Sequence, residues 1–353
     1  MSTTAIVKAG SAVGAAMLVA AAVVSVPKSS LADEGGVSFW LTGQFGSLAA
    51  VPQQPGWSIA STFYYTSVSG SRYVAAAREI TINKLKRTVN VNLDLDLKAR
   101  ADLVFLSPSY VFASPVLGGQ LAVGMAGTFG NNSTSLNGTL TTAVGSLAAT
   151  RQGSINDSRD GAGDLYPQIS LRWNNGVDNF MTYMLGDIPV GTYDSSRLSN
   201  FGIGHGAIDG GGGYTYFNPE TGHEFSAVTG LTGNLTNPST DYQNGIDWHM
   251  DWGASQFLSE QFYVGAVGYV YKQFGADSGA ALILGENKSQ VAGIGPQTGY
   301  LFPIGEFQGY LGLKAYGEFG ADRRAEGLNA WLTFAISPAA PPPPAATASR
   351  YRN

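Results

Sequence analysis

The chain has 353 residues, a formal charge of −5, no cysteine, and 13% charged residues beside 47 Gly, 17 Tyr, 17 Phe and 6 Trp. No disulfide can staple it, and it carries no basic surplus for a nucleic-acid backbone. Beyond its first 32 residues it has no apolar run of 18, which excludes crossing a bilayer with helices and leaves strands as the way through one.

The first element is a leader. Met1 to Ala32 has Lys8 in its leading part, an apolar run from Ala9 to Val26, and small residues around Ser30-Leu31-Ala32, the pattern of a cleavable secretory signal. An uncleaved membrane helix is the weaker alternative, because the run is barely long enough and no basic stop-transfer flank follows. The mature chain is expected to start at Asp33, with a charge of −7 once Lys8 and Lys28 are removed. Residues 33–56 are Gly-rich and irregular yet carry Phe39, Trp40, Leu41, Phe45 and Leu48. Apolar residues without strand period need a partner, so this segment either folds into a lumen as a plug or lies as a short periplasmic arm.

From Val89 to Asp102 the chain alternates without a break. Val89, Val91, Leu93, Leu95, Leu97, Ala99 and Ala101 share one face, and Asn90, Asn92, Asp94, Asp96, Lys98, Arg100 and Asp102 share the other. The run exceeds an ordinary globular strand and suits a tilted bilayer-crossing strand of about nine to eleven residues, apolar toward lipid and polar toward the lumen. A long strand of a soluble sandwich is the plain alternative. Long polar stretches near residues 69–86, 131–163, 192–206, 234–245, 275–288 and 321–327 read as outer loops. Short turns near 114–119, 174–177, 219–222, 258–260 and 303–305 read as inner ones. Six loops and five turns predict an all-β, antiparallel up-and-down transmembrane β-barrel of about twelve strands over 57–338.

Within that frame, Ile246, Trp248, Met250 and Trp252 are expected to face lipid while Asp247, His249 and Asp251 face the lumen. Phe307 to Phe319 likewise alternates, with Lys314 and Glu318 inward, and Asn329 to Ile336 makes a last strand with Leu332, Phe334 and Ile336 on one face. The facing of Phe180 to Tyr193 is undecided. Residues 339–353, which contain a Pro-Pro-Pro-Pro run, have almost nothing to bury and read as a disordered periplasmic tail.

Gly36 to Pro52, Ser107-Pro-Ser-Tyr-Val-Phe112, Gly186-Asp-Ile-Pro-Val-Gly-Thr-Tyr193, Asp209-Gly-Gly-Gly-Gly-Tyr-Thr-Tyr216, Thr240 to Gly245 and Gly295-Pro-Gln297 resemble the outer-membrane proteins linked to the meta-pathway of phenol degradation. So do the strand and loop from Lys314 to Gly327. The resemblance spans Asp33 to Pro338; the Pro-rich tail is not part of it. It implies a transporter-like barrel in the outer membrane of a Gram-negative bacterium, associated with breakdown of aromatic or other hydrophobic compounds. The partners so expected are outer-membrane lipid and lipopolysaccharide, the barrel-assembly machinery and hydrophobic small molecules.

Candidate solute or plug contacts are Phe39, Trp40, Phe45, Tyr216, Tyr310 and Tyr316, each of which could equally be packing or an interface-girdle aromatic. Asp94, Asp96, Lys98, Arg100 and Asp102, with Asp247, His249, Asp251, Lys314 and Glu318, are candidate lumen charges that brace the plug or set ion selectivity. The Gly210 to Gly213 run lacks the Lys-Ser or Lys-Thr pair of a phosphate cradle and reads as close backbone approach to a plug. An enzyme is not expected. There are three His, no Gly-x-Ser-x-Gly elbow and no Cys nucleophile, and one His between two carboxylates is a weak ligand set, so neither metal nor cofactor is expected. The rivals to a hydrophobic channel are a general porin and a structural or surface-adhesive barrel using residues 131–160.

Overall fold

Period-two alternation, broken by Gly-, Pro- and Asn-rich turns, folds into one closed sheet in the computed structural model, which describes residues 38–82, 85–144, 147–279 and 288–340. The signal expected at 1–32 and the tail from 341 lie outside the described residues. The strands are β1 Gly56–Ile82, β2 Leu85–Val111, β3 Gln120–Val144, β4 Leu147–Asn175, β5 Asp178–Asp187, β6 Ala207–Asn218, β7 His223–Asn234, β8 Tyr242–Gln243, β9 Asp247–Phe257, β10 Phe262–Gln273, β11 Ser278–Gly279, β12 Gln290–Ile304, β13 Phe307–Asp322 and β14 Glu326–Pro338. Twelve of them close an antiparallel barrel in the order β1-β14-β13-β12-β10-β9-β7-β6-β5-β4-β3-β2, and β8 pairs with β11 in the loops above it. Closure joins β1 to β14, from Ile59↔Ile336 to Ser69↔Glu326, so within the barrel wall each strand has a partner on both sides.

All five short turns fall at one end of the barrel, where sequence reasoning puts them. Gly176 and Gly305 occupy left-handed backbone there, with φ of 69° and 60°, a conformation that disfavours any side chain. Two outer loops are corrected. The described residues of 69–86 and 131–163 are strand, not loop: β1 pairs with β2 from Gly56↔Val111 to Ile82↔Leu85, and β3 with β4 from Gln120↔Arg172 to Val144↔Leu147. The Ser-, Thr- and Asn-rich sequence of these stretches suits long hairpins that continue beyond the lipid. The β5–β6 loop folds back onto them, with Arg197 paired to Asp157 and Thr192 N donating to Ala162 O at 3.1 Å.

Outward residues form an apolar belt around the barrel, including Ile59 and Phe63 on β1, Leu106 on β2, Met125 on β3, Ile169 on β4, Met184 on β5, Leu231 on β7 and Leu332 and Phe334 on β14. On β1 and β2 this belt ends near Tyr65 and Val104. A bulge in β4, between the pairs Gly127↔Leu165 and Phe129↔Ala162, shifts which residues face inward above it.

The facing of Val89 to Asp102 is the reverse of the expectation. Leu103 and Phe105 pack inside the barrel against Tyr64 and Trp331, and β2 runs without a register shift against both neighbours across 93–106. Leu93, Leu95, Leu97, Ala99 and Ala101 therefore share the inward face, while Asp94, Asp96, Lys98, Arg100 and Asp102 share the outward face with Leu106. Arg100 pairs with Asp102 at 2.9 Å and lies 5.2 Å over the Tyr65 ring, on the outside of the wall. The physical reason is position along the strand: this stretch stands above the lipid belt, where the outer face meets water. The side chains of residues 89–91 lie outside the described residues.

Candidate functional site in the barrel lumen

Residues 38–55 lie within the barrel, fastened to one side of it by their own backbone. A segment without a ladder must satisfy its N–H and C=O groups elsewhere, and here inward side chains of β6, β7, β9, β12 and β13 serve. Gly43 N and Phe45 N donate to the Asp251 carboxylate at 3.1 and 3.0 Å. Lys314 Nζ donates to the carbonyls of Gly43, Gln44 and Phe45 at 2.7, 2.9 and 3.3 Å. Leu48 N donates to Glu224 at 2.9 Å, the Ser47 hydroxyl donates to the same carboxylate, and Ala50 N donates to Thr215 Oγ1 at 3.0 Å. Gln297 accepts from Ser47 N at 3.3 Å and donates to Ser47 Oγ at 2.7 Å.

Trp40 anchors the apolar part. Its ring stacks on His249 at 3.5 Å and an interplanar angle of 12°, and it is 1% exposed. His249 Nε2 meets Asp209 Oδ2 at 2.8 Å, and Thr232 donates to the same oxygen at 2.7 Å. Phe45 and Tyr183 complete the cluster, with ring centroids 5.7 Å apart. A second buried group joins Tyr269, Tyr316 and Trp331. Tyr269 donates to Glu318 at 2.7 Å and accepts from Asn329 at 2.8 Å, and Tyr310 meets Tyr263 at 2.8 Å.

The fastening is lopsided. On the far side, between Phe39, Leu41 and Gln44 and the wall of β1 to β5 and β14, lies a cavity of about 130 Å³. Phe105, Tyr166, Leu185 and Trp331 line it with Thr62, Ser107, Gln168 and Thr333. The aromatic rings stand in a chain: Phe39 to Tyr166 6.0 Å, Tyr166 to Phe105 6.4 Å, Phe105 to Trp331 6.3 Å.

Of the residues singled out from sequence, Phe39, Trp40, Phe45, Tyr310, Tyr316, Asp247, His249, Asp251, Lys314 and Glu318 all lie in the lumen. Tyr216 does not. It alternates with buried Thr215 on β6 and sits on the outer face beside Tyr214, which donates to Asp178 at 2.6 Å. The five β2 residues from Asp94 to Asp102 are outside as described, so they do not pair across the lumen. The Gly210 to Gly213 run does not meet the segment either: a Cβ on Gly211 would strike Thr229 O at 2.2 Å and Tyr183 Oη at 2.8 Å. The close approach is at Gly253, where a Cβ would lie 2.8 Å from Ser47 N. Sequence reading missed Asp209, Glu224, Phe105, Tyr166 and Trp331; the alternation of Glu224, Ser226 and Val228 with Phe225 and Leu231 is the signal that could have placed Glu224 inward.

Residues 82–334 match the family described as "Putative MetA-pathway of phenol degradation". No curated protein matches the sequence. Among solved structures, the chain is similar to the COG4313 outer membrane channel from Pseudomonas putida F1, with a TM-score of 0.61 and 12% identity over 83% of this chain and 100% of that one. A Pseudomonas aeruginosa FadL homologue aligns with a TM-score of 0.38 and 10% identity over 88% of this chain and 98% of that one.

Proposed function

The chain belongs to the putative MetA-pathway of phenol degradation family, an outer-membrane β-barrel with a lipid-facing apolar belt, and on that premise we propose that it is a passive channel for hydrophobic, aromatic small molecules. The observation that carries this reading is the one-sided lumen. Polar side chains hold residues 38–55 against one half of the wall, and an aromatic-lined cavity remains against the other.

A tightly packed anionic outer leaflet slows an apolar solute, and a narrow polar pore disfavours it too. Aromatic walls remove such a solute from water, which stabilises it by roughly 25 cal/mol per Å² of apolar surface covered. Residues 38–55 are the plug in this reading. Seated, they narrow the lumen to the cavity; displaced, they open a wider path. The cavity is small for a general pore, which is why the hydrophobic channel is preferred to a porin.

The test is initial uptake of a labelled aromatic hydrocarbon, beside a charged solute, in cells with and without the protein. Faster uptake of the hydrocarbon alone supports the channel, equal uptake of both indicates a general pore, and no change in either removes transport. Ala126→Phe places a ring in the cavity lined by Ala126 and is expected to slow hydrocarbon uptake while leaving the barrel folded.

A further inference from the structure

Two carboxylates share the lumen face toward the outer end of β4 and β5. Past the ladder of these strands, Leu165 and Ile188 exchange backbone bonds at 3.2 and 2.9 Å. One step back along β5, Asp187 continues the inward face of Tyr183 and Leu185 and stands opposite Tyr166, with Asp164 as its diagonal neighbour. At that spacing one ion can bridge two carboxylates. Asp164 is fully buried; its Oδ1 accepts from Gly191 N at 2.6 Å and its Oδ2 from Ile203 N at 2.9 Å, both in the β5–β6 loop. Asp187 is 8% exposed, and both of its oxygens are buried without a hydrogen-bond donor. His205, whose charge reaches Asp164, turns its Nδ1 to Gly206 O at 3.1 Å, and among the described residues no basic side chain pairs with either carboxylate. A buried carboxylate without a donor is costly and a second one beside it adds to the cost, so the pair needs either a proton or a cation.

We propose that Asp164 and Asp187 hold a Ca²⁺ ion that ties the outer ends of β4 and β5 to the loop above them. Two carboxylates balance the charge of a divalent ion. The Tyr166 hydroxyl lies in the field of both and beside the Thr128 hydroxyl, and no third acidic or His side chain joins the pair among the described residues, so hydroxyl and backbone carbonyl oxygens complete the shell. An irregular, all-oxygen set suits Ca²⁺; Mg²⁺ asks for near-octahedral geometry and keeps its waters, and the Asp187 oxygens are shut from solvent. Through Asp164 the ion also secures the backbone of Gly191 and Ile203, so its arrival stiffens the β5–β6 loop at the mouth. The site does not rest on the channel reading.

Isothermal titration with CaCl₂ at neutral pH tests it, on the full chain refolded in neutral detergent, free of lipopolysaccharide and stripped of metal by a chelator that is then dialysed away. The parent is expected to bind Ca²⁺, more tightly than Mg²⁺, and Asp187→Asn to weaken it about tenfold or more through loss of one of the two ligand charges. Asn keeps the shape, and Asp187 has no hydrogen bond to lose, so the barrel should still fold. Asp94→Asn, on the outer face of the wall, should leave the affinity unchanged. A parent that takes up no Ca²⁺ means that a proton fills the cation's place and overturns the proposal; so does equal affinity in Asp187→Asn, or Mg²⁺ bound as tightly as Ca²⁺. Limited proteolysis of the β5–β6 loop gives a second readout. Ca²⁺ should slow cleavage severalfold in the parent, with a chelator reversing it, and should have no effect in Asp187→Asn. Should that variant not fold, the parent decides: equal cleavage with Ca²⁺ and with chelator overturns the site.

Discussion

Lys314→Met is the sharpest test of what holds residues 38–55 in the lumen. Methionine keeps most of the stem and removes the donor, so the carbonyls of Gly43, Gln44 and Phe45 lose the ammonium they share. Two of those three bonds, at 2.7 and 2.9 Å, have good geometry, and the third, at 3.3 Å, is weak. At the low end for hydrogen bonds to a charged group, about 1.5 kcal/mol each, the two contribute about 3 kcal/mol, and the unseated fraction of the segment should rise roughly a hundredfold. The chain has no native cysteine, so Thr42→Cys, at a position 3% exposed, gives a single reporter. Its reaction with a membrane-impermeant maleimide follows the open population when reseating is fast. The expected result is labelling about a hundredfold faster in Lys314→Met/Thr42→Cys than in Thr42→Cys, with more frequent open events in planar bilayers. Equal rates in a barrel that still migrates as folded would refute the claim that Lys314 fastens the segment.

Gly253→Val should unseat the segment by a different route, because its Cβ would meet the backbone of Gly46 and Ser47 at 3.1 and 2.8 Å; the same maleimide assay reads it, and Gly317→Val, with nothing within 4 Å, should leave the rate unchanged. The Arg197 guanidinium and the backbone N–H groups of Leu198 and Ser199 hold the Asp157 carboxyl down at about 2, against an ordinary 3.8. A lowered value means that the β5–β6 loop gains this support above the ordinary value and loses it as pH falls from about 3.8 through about 2. Limited proteolysis of that loop with an acid-active protease should accelerate across that window in the parent and show no such step in Asp157→Asn. Arg100→Gln should leave both the melting midpoint of the barrel and its ion selectivity unchanged, because an exposed ion pair is screened by water; altered selectivity would return the Arg100–Asp102 pair to the lumen.

The inner turns were legible because glycine, proline and asparagine have backbone reasons to sit there. β5 was not, and the reason lies in what fills the barrel. Met181, Tyr183 and Leu185 face inward, where Tyr183 packs against Trp40 and Phe45, while Phe180 and Met184 face outward into the apolar belt. A lumen occupied by an apolar segment makes both faces of the facing strand apolar, and the alternation that marks a water-filled barrel disappears. The segment itself was half legible. Phe39, Trp40 and Phe45 announced the need for a partner, but His249 and Asp209 lie more than 160 positions away, on strands with no local signal that they meet Trp40.

The reversed face of Val89 to Asp102 has a more general cause. Alternation has a period but no sign: it separates two faces without saying which one meets lipid. Length supplies the sign. β1 and β2 are each 27 residues long, or roughly 90 Å at about 3.4 Å per residue, where a tilted crossing of the hydrocarbon needs about nine to eleven residues. More than half of each strand must therefore stand outside the lipid, and there the outer face is the wetter one. The charged side chains from Asp94 to Asp102 take that outer face, and Leu93, Leu95 and Leu97 turn inward above the mouth, in line with Leu103 and Phe105. The strand segment that crosses lipid is the less regular one below, where Val104, Leu106 and Tyr110 point out and Phe105 and Ser107 line the cavity. In a barrel with long hairpins the tidiest alternation thus marks water on one side and a sheltered lumen on the other, and the membrane belt is found where both faces carry apolar residues.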